Sequence, residues 1–412
     1  MDEEFEEYLE FEDEENSLEL AQEALDRGDD ATALDLAEEY LENHPLDVEA
    51  LNICAVAASK LEDEPKALAL YRKALQLDPR NGALHHNYGV LLERLGLYEK
   101  ALTHFQRSLE LQPDFPEAYI NMGNVLDELG RTEDAVGMYD QALRRMPDAP
   151  DVFYNKGYAL NRLGRFSEAL ACFDKVLAVN PGDAAGLNGR GYALSGLGRD
   201  EEALESYRRA IAREPAVATY RFNRGLSLSR IGRPAEAIED FSSAIATDPT
   251  FFEAYVEEVA LLLETGRHAE ALPLLDEAQR LAPQSPEPFF YRGVVLERLG
   301  DMDGALNALD ESLKLDGDSI YTLNNKGNVL MELNRLEEAL GCFDQILQRT
   351  NRYPLAYYNR ACVFARWGKV REAVRALSEA SAQDDRFLDD ARRDPDFDPI
   401  RKAPTFRKLV GA

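Results

Sequence analysis

An alanine recurs every 34 residues along almost the whole of this chain. The series runs through eleven alanines without a gap, and Leu, Val or Ile follows each of them. Glycines and prolines form further series at the same spacing. Such a period indicates a chain built from one repeated supersecondary unit, in which each copy contacts its neighbours. The alanines are Ala33, Ala67, Ala101, Ala135, Ala169, Ala203, Ala237, Ala271, Ala305, Ala339 and Ala373.

The alanine series divides residues 14–387 into eleven repeats, with no insertion or deletion between them. We expect residues 1–13 to form an acidic N-terminal tail. We expect residues 388–412 to form a C-terminal capping segment, because the last repeat of a stack must cover its open apolar face. The apolar residues available for this are Phe397, Ile400, Phe406 and Leu409. The repeats are 14–47, 48–81, 82–115, 116–149, 150–183, 184–217, 218–251, 252–285, 286–319, 320–353 and 354–387.

Within one repeat the apolar residues have helical spacing. In 116–149 they recur at intervals of three and four between Tyr119 and Leu129, as on one face of a helix. Gly130 ends that helix, and a second apolar series leads to Pro147. Neither helix can bury its apolar face alone, so hairpins must stack on one another. The sequence therefore predicts an all-α fold made of helical hairpins.

The pattern resembles the tetratricopeptide repeat, and the resemblance covers 374 of the 412 residues. It implies a right-handed superhelical solenoid of helix–turn–helix hairpins, in which the first helix of each hairpin lines the concave face. The eighth repeat departs most, since Val259 stands at a small-residue position after Glu257 and Glu258. We expect this repeat to bound the binding site or to change the local curvature. In 82–115 the motif is carried by Gly89, Leu92, Gly96, Ala101, Phe105 and Pro113.

Asparagine recurs at the sixth position of the repeat, with aromatic residues beside it and one turn later. An amide offers both a donor and an acceptor, which suits the backbone of an extended peptide, and aromatic rings supply apolar contact area. The alternative is that these asparagines cap or bridge neighbouring helices. The predicted peptide-binding residues are Asn121, Tyr154, Asn155, Tyr158, Asn188, Tyr192, Phe222, Asn223, Arg224, Phe290, Asn325, Tyr358 and Asn359.

The seventh position is usually basic, and two interpretations of it stay open. The side chains resemble, loosely, the carboxylate clamp of tetratricopeptide cochaperones, which would favour an acidic peptide. Alternatively they neutralise charge within an acidic protein. The residues are Lys156, Arg190, Arg224, Arg292, Lys326 and Arg360.

Composition excludes several classes of function. Asp and Glu number 77 against 46 Lys and Arg, and a net charge of −31 disfavours nucleic acid and anionic membranes as partners. No apolar stretch is long enough for a transmembrane helix. Four cysteines without a C-x-x-C pair fit a reducing compartment, and no basic residue precedes Arg27, so we expect a cytoplasmic protein without a secretory signal.

Chemistry-bearing motifs are weak. The five histidines have no metal-binding spacing, and no nucleophile elbow, phosphate loop or dinucleotide fingerprint occurs. We therefore expect no catalytic, metal or cofactor site, and a non-enzymatic scaffold that binds an extended protein segment. The alternative is a structural protein that self-associates through its ends or its convex face. A monomer is the favoured oligomeric state.

Overall fold

The computed structural model describes residues 17–411, and this part of the chain contains helices and no strand. The acidic tail predicted at 1–13 lies outside the described residues. The all-α class and the tandem hairpins are confirmed. The α-helices are α1 (17–26), α2 (Asp30–Asn43), α3 (Val48–Lys60), α4 (Glu64–Leu77), α5 (Gly82–Arg94), α6 (Tyr98–Leu111), α7 (Pro116–Glu128), α8 (Thr132–Arg145), α9 (Pro150–Arg162), α10 (Phe166–Val179), α11 (Ala184–Gly196), α12 (Asp200–Arg213), α13 (Ala218–Arg230), α14 (Pro234–Thr247), α15 (Phe252–Glu264), α16 (His268–Leu281), α17 (Glu287–Leu299), α18 (Met302–Leu315), α19 (Ile320–Glu332), α20 (Leu336–Arg349), α21 (Pro354–Arg366), α22 (Val370–Ser381), α23 (Arg386–Arg393) and α24 (Pro404–Val410).

The chain divides into two compact bodies. The N-terminal body extends to Arg213, and the C-terminal body begins at Glu214. Inside each body, the two helices of a hairpin pack on each other and the second helix packs on the first helix of the following hairpin. Within residues 17–411, none of the helices is both long enough and apolar enough to cross a lipid bilayer.

One contact between a small and a large residue holds most hairpins together. Gly123 in α7 faces the ring of Tyr139 in α8, where a Cβ atom would lie 2.6 Å from Cε1 of the tyrosine. Both residues are buried. The eighth repeat makes the two sizes more equal, because the equivalent residues are Val259 and Leu275, which are also buried. The larger residue Val259 on the first helix is thus accompanied by a smaller side chain, Leu275, on the second helix.

The turn inside each hairpin needs a left-handed residue. Gly130, directly after α7, has φ of +75°, a conformation that costs glycine little. Asn334 holds the equivalent place in the tenth repeat with φ of +57°, since asparagine tolerates this region better than most residues. The repeat therefore keeps its turn geometry without a glycine at every copy.

The C-terminal segment packs on the last hairpin of the C-terminal body. A 3-10 helix (Pro395–Ile400) lies against α21, and α23 and α24 lie against α22. Phe397 and Phe406 are buried, with their rings stacked 5.4 Å apart, in the same apolar cluster as Leu377 of α22. Leu409 is only partly buried. The hydroxyl of Tyr358 in α21 donates a 2.7 Å hydrogen bond to Asp394 at the start of the 3-10 helix.

Candidate peptide-binding surface

In the N-terminal body the asparagine side chains link one first helix to the preceding one. Nδ2 of Asn121 lies 3.0 Å from Nε2 of His86. Nδ2 of Asn155 donates a 3.1 Å hydrogen bond to Oδ1 of Asn124. Both asparagines are half-buried, and within residues 17–411 their Oδ1 atoms accept no hydrogen bond. Each amide thus bridges two repeats and keeps an acceptor for another group.

Asn124 was not among the predicted binding residues, yet it organises this part of the surface. Its Oδ1 accepts hydrogen bonds from Nδ2 of Asn155 and from the Tyr139 hydroxyl, at 3.1 and 2.9 Å. The asparagine at the ninth position of the repeat is the sequence signal for this role, and Asn328 repeats it.

The aromatic residues of the N-terminal body differ in exposure. The rings of Tyr154 and Tyr158 are 4.7 Å apart, and both contact the edge of buried Phe173. Tyr192 is 46% exposed, whereas Asn188, one turn earlier in α11, is buried. Tyr192 is therefore the aromatic side chain of this group with the most area free for contact.

The remaining predicted residues belong to the C-terminal body, where their burial and their contacts differ from one residue to the next. Phe222 is half-buried against Phe251, with ring centroids 4.7 Å apart, while Asn223 and Phe290 are half-buried on the first helices α13 and α17. Nδ2 of Asn325 donates to the carbonyl of Tyr321 in its own helix, at 2.9 Å.

Tyr358 and Asn359 in α21 are nearly inaccessible, with 8% and 9% exposure. Nδ2 of Asn359 donates to Oδ1 of both Asn324 and Asn328, at 2.9 and 3.1 Å. Tyr358 stacks on Phe387 of α23. Tyr358 is covered by the C-terminal segment and Asn359 is buried against the preceding repeat, so these two residues stand apart from the other predicted contacts.

The basic residues of the seventh position are already paired. Nζ of Lys156 lies 2.5 Å from Asp140, and Nε of Arg190 lies 2.9 Å from Asp174, each partner being 16 residues earlier on the second helix of the preceding hairpin. Lys326, Arg292 and Arg360 pair with aspartates at the same separation. These pairs favour charge neutralisation over a carboxylate clamp.

Arg224 has a different partner because the residue 16 positions earlier is Arg208. Its guanidinium instead forms a bidentate pair with Asp240, 16 residues later, at 2.6 and 2.7 Å. Asp240 is 4% exposed, and the hydrogen bond to it raises the pKa of Arg224. A bidentate pair of this kind fixes both side chains.

The eighth repeat carries two acids where the seventh repeat carries an amide and a cation. Glu258 is buried and accepts a 2.6 Å hydrogen bond from the Ser242 hydroxyl, and its Oε2 has no partner among the described residues. Burial raises the pKa of Glu258, while burial and the nearby Glu287 raise the pKa of Glu257. The surface changes from amide to acidic at this repeat.

One group of side chains has the composition of a metal site. The ligand atoms of Cys362, Asp394 and Asp396 lie within 4.8 Å of one another. Asp394 is bound by the Tyr358 hydroxyl, and Asp396 pairs with Arg366 at 3.7 Å. These contacts make the group a junction between α21 and the C-terminal segment.

The hairpins and their small-to-large contacts define an all-α protein of tandem helical repeats. Tetratricopeptide repeat profiles match most of the chain, so it belongs to the tetratricopeptide repeat family, and it is a protein-interaction scaffold. The matched residues are 18–82, 81–148, 120–184, 162–218, 188–252, 222–286, 256–320 and 319–353.

Solved structures that are similar to this chain include the following three, which align with different fractions of it. YrrB, described as a TPR protein with an unusual peptide-binding site, has 26% identity and a TM-score of 0.39, covering 45% of this chain and 95% of its own. Residues 41 to the end of MamA from Desulfovibrio magneticus RS-1 have 25% identity and a TM-score of 0.39, covering 41% and 96%. Yeast Tom70 has 15% identity and a TM-score of 0.44, covering 97% and 99%. No curated protein sequence matches this chain.

Proposed function

We propose that this protein is a non-enzymatic scaffold that binds extended peptide segments of partner proteins across the first helices of its hairpins. The observation that carries the proposal is the pair of half-buried amides, Asn121 and Asn155, whose Oδ1 atoms accept no hydrogen bond from the described residues. An extended peptide presents a backbone N–H at every second residue on one side, which such acceptors can bind.

Aromatic residues beside the amides support the same proposal. Tyr192 in the N-terminal body is exposed, and Tyr158 is half-buried one hairpin earlier. A rigid ring gives contact area with little conformational entropy to lose. In the C-terminal body, Phe222 and Asn223 repeat this combination on α13. The covered residues Tyr358 and Asn359 are left out of the proposed contacts.

The test is affinity capture from native lysate with two variants, one for each body. Asn121→Ala with Asn155→Ala removes the amides of the N-terminal body, and Asn223→Ala with Asn325→Ala removes those of the C-terminal body. Each net hydrogen bond contributes roughly 0.5–1.5 kcal/mol, so we expect capture to fall about tenfold for the body that holds the partner. Helicity measured by circular dichroism should be unchanged.

The matched controls lie on second helices. Glu168→Gln with Glu202→Gln changes two exposed acids of the N-terminal body, and Glu236→Gln with Glu338→Gln does so in the C-terminal body. We expect these variants to capture the partner as the parent does. Undiminished capture by the asparagine variants, together with loss in the controls, would move the binding surface to the second helices.

We further propose that the protein acts as a cytoplasmic monomer and that proteins, not nucleic acids, are its partners. Its four cysteines are free and buried, which suits a reducing compartment. Light scattering should give a mass independent of concentration. A mass that rises with concentration would instead support the alternative of a self-associating structural protein.

A further inference from the structure

The C-terminal body contains a cavity of about 450 Å³ between α17, α18 and α19. Three aromatic residues contribute to its lining, Phe290 and Tyr291 from α17 and Tyr321 from α19. The rings of Phe290 and Tyr291 are 5.3 Å apart, with their planes inclined at 65°. Tyr321 is 63% exposed, and its ring meets Tyr353 edge-on at 6.3 Å. The cavity therefore has aromatic walls and is open to solvent.

Two carboxylates also line this cavity, Glu287 from α17 and Asp316 from the turn after α18. Oδ1 of Asp316 accepts a 3.1 Å hydrogen bond from the Asp318 backbone. Within residues 17–411, neither Glu287 nor Asp316 is paired with a basic side chain. Arg349 reaches the same turn, but it binds Asp318 and the Gly317 carbonyl. Neither of the two carboxylates that line the cavity is thus neutralised by a direct ion pair among the described residues.

A third acid reinforces the negative potential. Burial, followed by the charges of Glu257 and Glu287, raises the pKa of Tyr291. Glu257 and Tyr291 occupy the sixth position of the eighth and ninth repeats, where most repeats have asparagine. Beside this cavity, the sixth position of the repeat therefore carries a carboxylate in the eighth repeat and an aromatic ring in the ninth.

A planar cation matches this combination of groups. The guanidinium of arginine stacks on aromatic rings and donates paired hydrogen bonds to carboxylates, whereas the ammonium of lysine is a strongly hydrated point charge. We propose that this cavity, here called the acidic aromatic pocket, binds an arginine side chain of the partner peptide. The inference rests on the proposed peptide-binding function and names the residue type that the C-terminal body selects.

The test is fluorescence anisotropy with the full-length protein and three short fluorescein-labelled peptides that differ at one central residue. The first has arginine, the second has citrulline, which is its neutral isostere, and the third has lysine. We expect the arginine peptide to bind about tenfold more tightly than the citrulline peptide, with the lysine peptide between them. Higher salt should weaken the arginine peptide most, because its binding depends on charge.

Two variants locate the effect. Glu287→Gln with Asp316→Asn should reduce binding of the arginine peptide to that of the citrulline peptide and leave the citrulline peptide unchanged. The matched control is Glu253→Gln with Asp303→Asn, which removes the same charge from exposed acids that do not line the cavity. Tyr321→Ala, at an exposed ring, should weaken both the arginine and the citrulline peptides.

Several results would overturn the proposal. The proposal fails if the arginine and citrulline peptides bind equally, or if the lysine peptide binds as tightly as the arginine peptide. It also fails if the control variant has the same effect, or if no peptide binds at the highest protein concentration of the titration. Failure of the wider peptide-binding function is detected separately, by partner capture that the asparagine variants leave unchanged. A pocket that fails while capture still depends on the asparagines leaves that function in place.

Discussion

Gly123 and Tyr139 are complementary in size, since a Cβ atom on the glycine would lie 2.6 Å from Cε1 of the tyrosine. Gly89 and Phe105 form the equivalent contact one repeat earlier, at 2.7 Å. The eighth repeat has Val259 with Leu275 instead. The hairpin thus accepts a larger side chain on the first helix where the second helix carries a smaller one.

Replacing Gly123 by Val should overpack α7 against α8 and lower stability by about 1–3 kcal/mol. The double variant Gly123→Val with Tyr139→Leu copies the pair of the eighth repeat, so it should recover part of that loss. The recovery will be partial because the leucine cannot replace the tyrosine hydroxyl that donates to Asn124. Thermal unfolding followed by circular dichroism measures the midpoints of the parent, the two single variants Gly123→Val and Tyr139→Leu, and the double variant. Losses that simply add would refute the size-exchange interpretation.

Replacing Arg224 by Met should leave the Asp240 carboxylate buried without its cation. Removing one partner of a buried pair costs about 3–5 kcal/mol, and we expect about 2–3 kcal/mol here because the arginine is partly exposed. The double variant with Asp240→Leu should be closer to the parent. Arg208→Gln, which breaks an exposed pair with Glu205, is the control and should leave the unfolding midpoint nearly unchanged. Urea unfolding midpoints report all of these changes.

Glu93 should make stability fall as the pH rises. Burial, followed by the charge of Glu128, raises the pKa of Glu93 to about 7 from an ordinary value of 4.5. Between these values the folded state binds more protons than the unfolded state, so stability is lost through this window. Glu93→Gln should therefore raise the melting temperature at pH 8 and have little effect at pH 4.5. Exposed Glu99→Gln is the control, and an E93Q effect of equal size at both pH values would contradict the assignment.

Deleting residues 388–412 should lower stability and promote association. The deletion removes Phe397 and Phe406 from their contacts and exposes Leu377 of α22. Light scattering and thermal unfolding give the two readouts. Tyr358→Phe is the milder variant, since it loses only the hydrogen bond to Asp394, worth about 1 kcal/mol. A truncated protein that remains monomeric and equally stable would show that this segment does not cap the stack.

The sequence predicted the helices well because each repeat supplies the same pattern again. The spacing from Tyr119 to Leu129 indicated a helix, and α7 runs from Pro116 to Glu128. The period identifies equivalent positions, but it does not determine which atoms those positions bind. It placed Asn155 on a first helix without revealing its hydrogen bond to Asn124.

The rest of the candidate site depends on residues that depart from the repeat pattern. Arg224 turns to Asp240 because an arginine stands at 208, where five other repeats have an aspartate. Tyr358 is covered because Asp394, 36 residues further along the chain, binds it and the 3-10 helix that follows packs on α21. Both outcomes depend on residues outside the repeat in question, so a pattern read within one repeat could not predict them.

The hydrogen bonds between asparagines join residues 31 or 35 positions apart, as in Asn155 to Asn124 and Asn87 to Asn52. One residue inserted into a first helix would turn every later side chain by about 100° and direct the amide away from its neighbour. Duplicating or deleting a whole 34-residue segment leaves each remaining amide facing the equivalent position of the neighbouring repeat. Genetic changes in the length of this protein are therefore tolerated in multiples of one hairpin, so that its reach along a partner can evolve only in discrete steps.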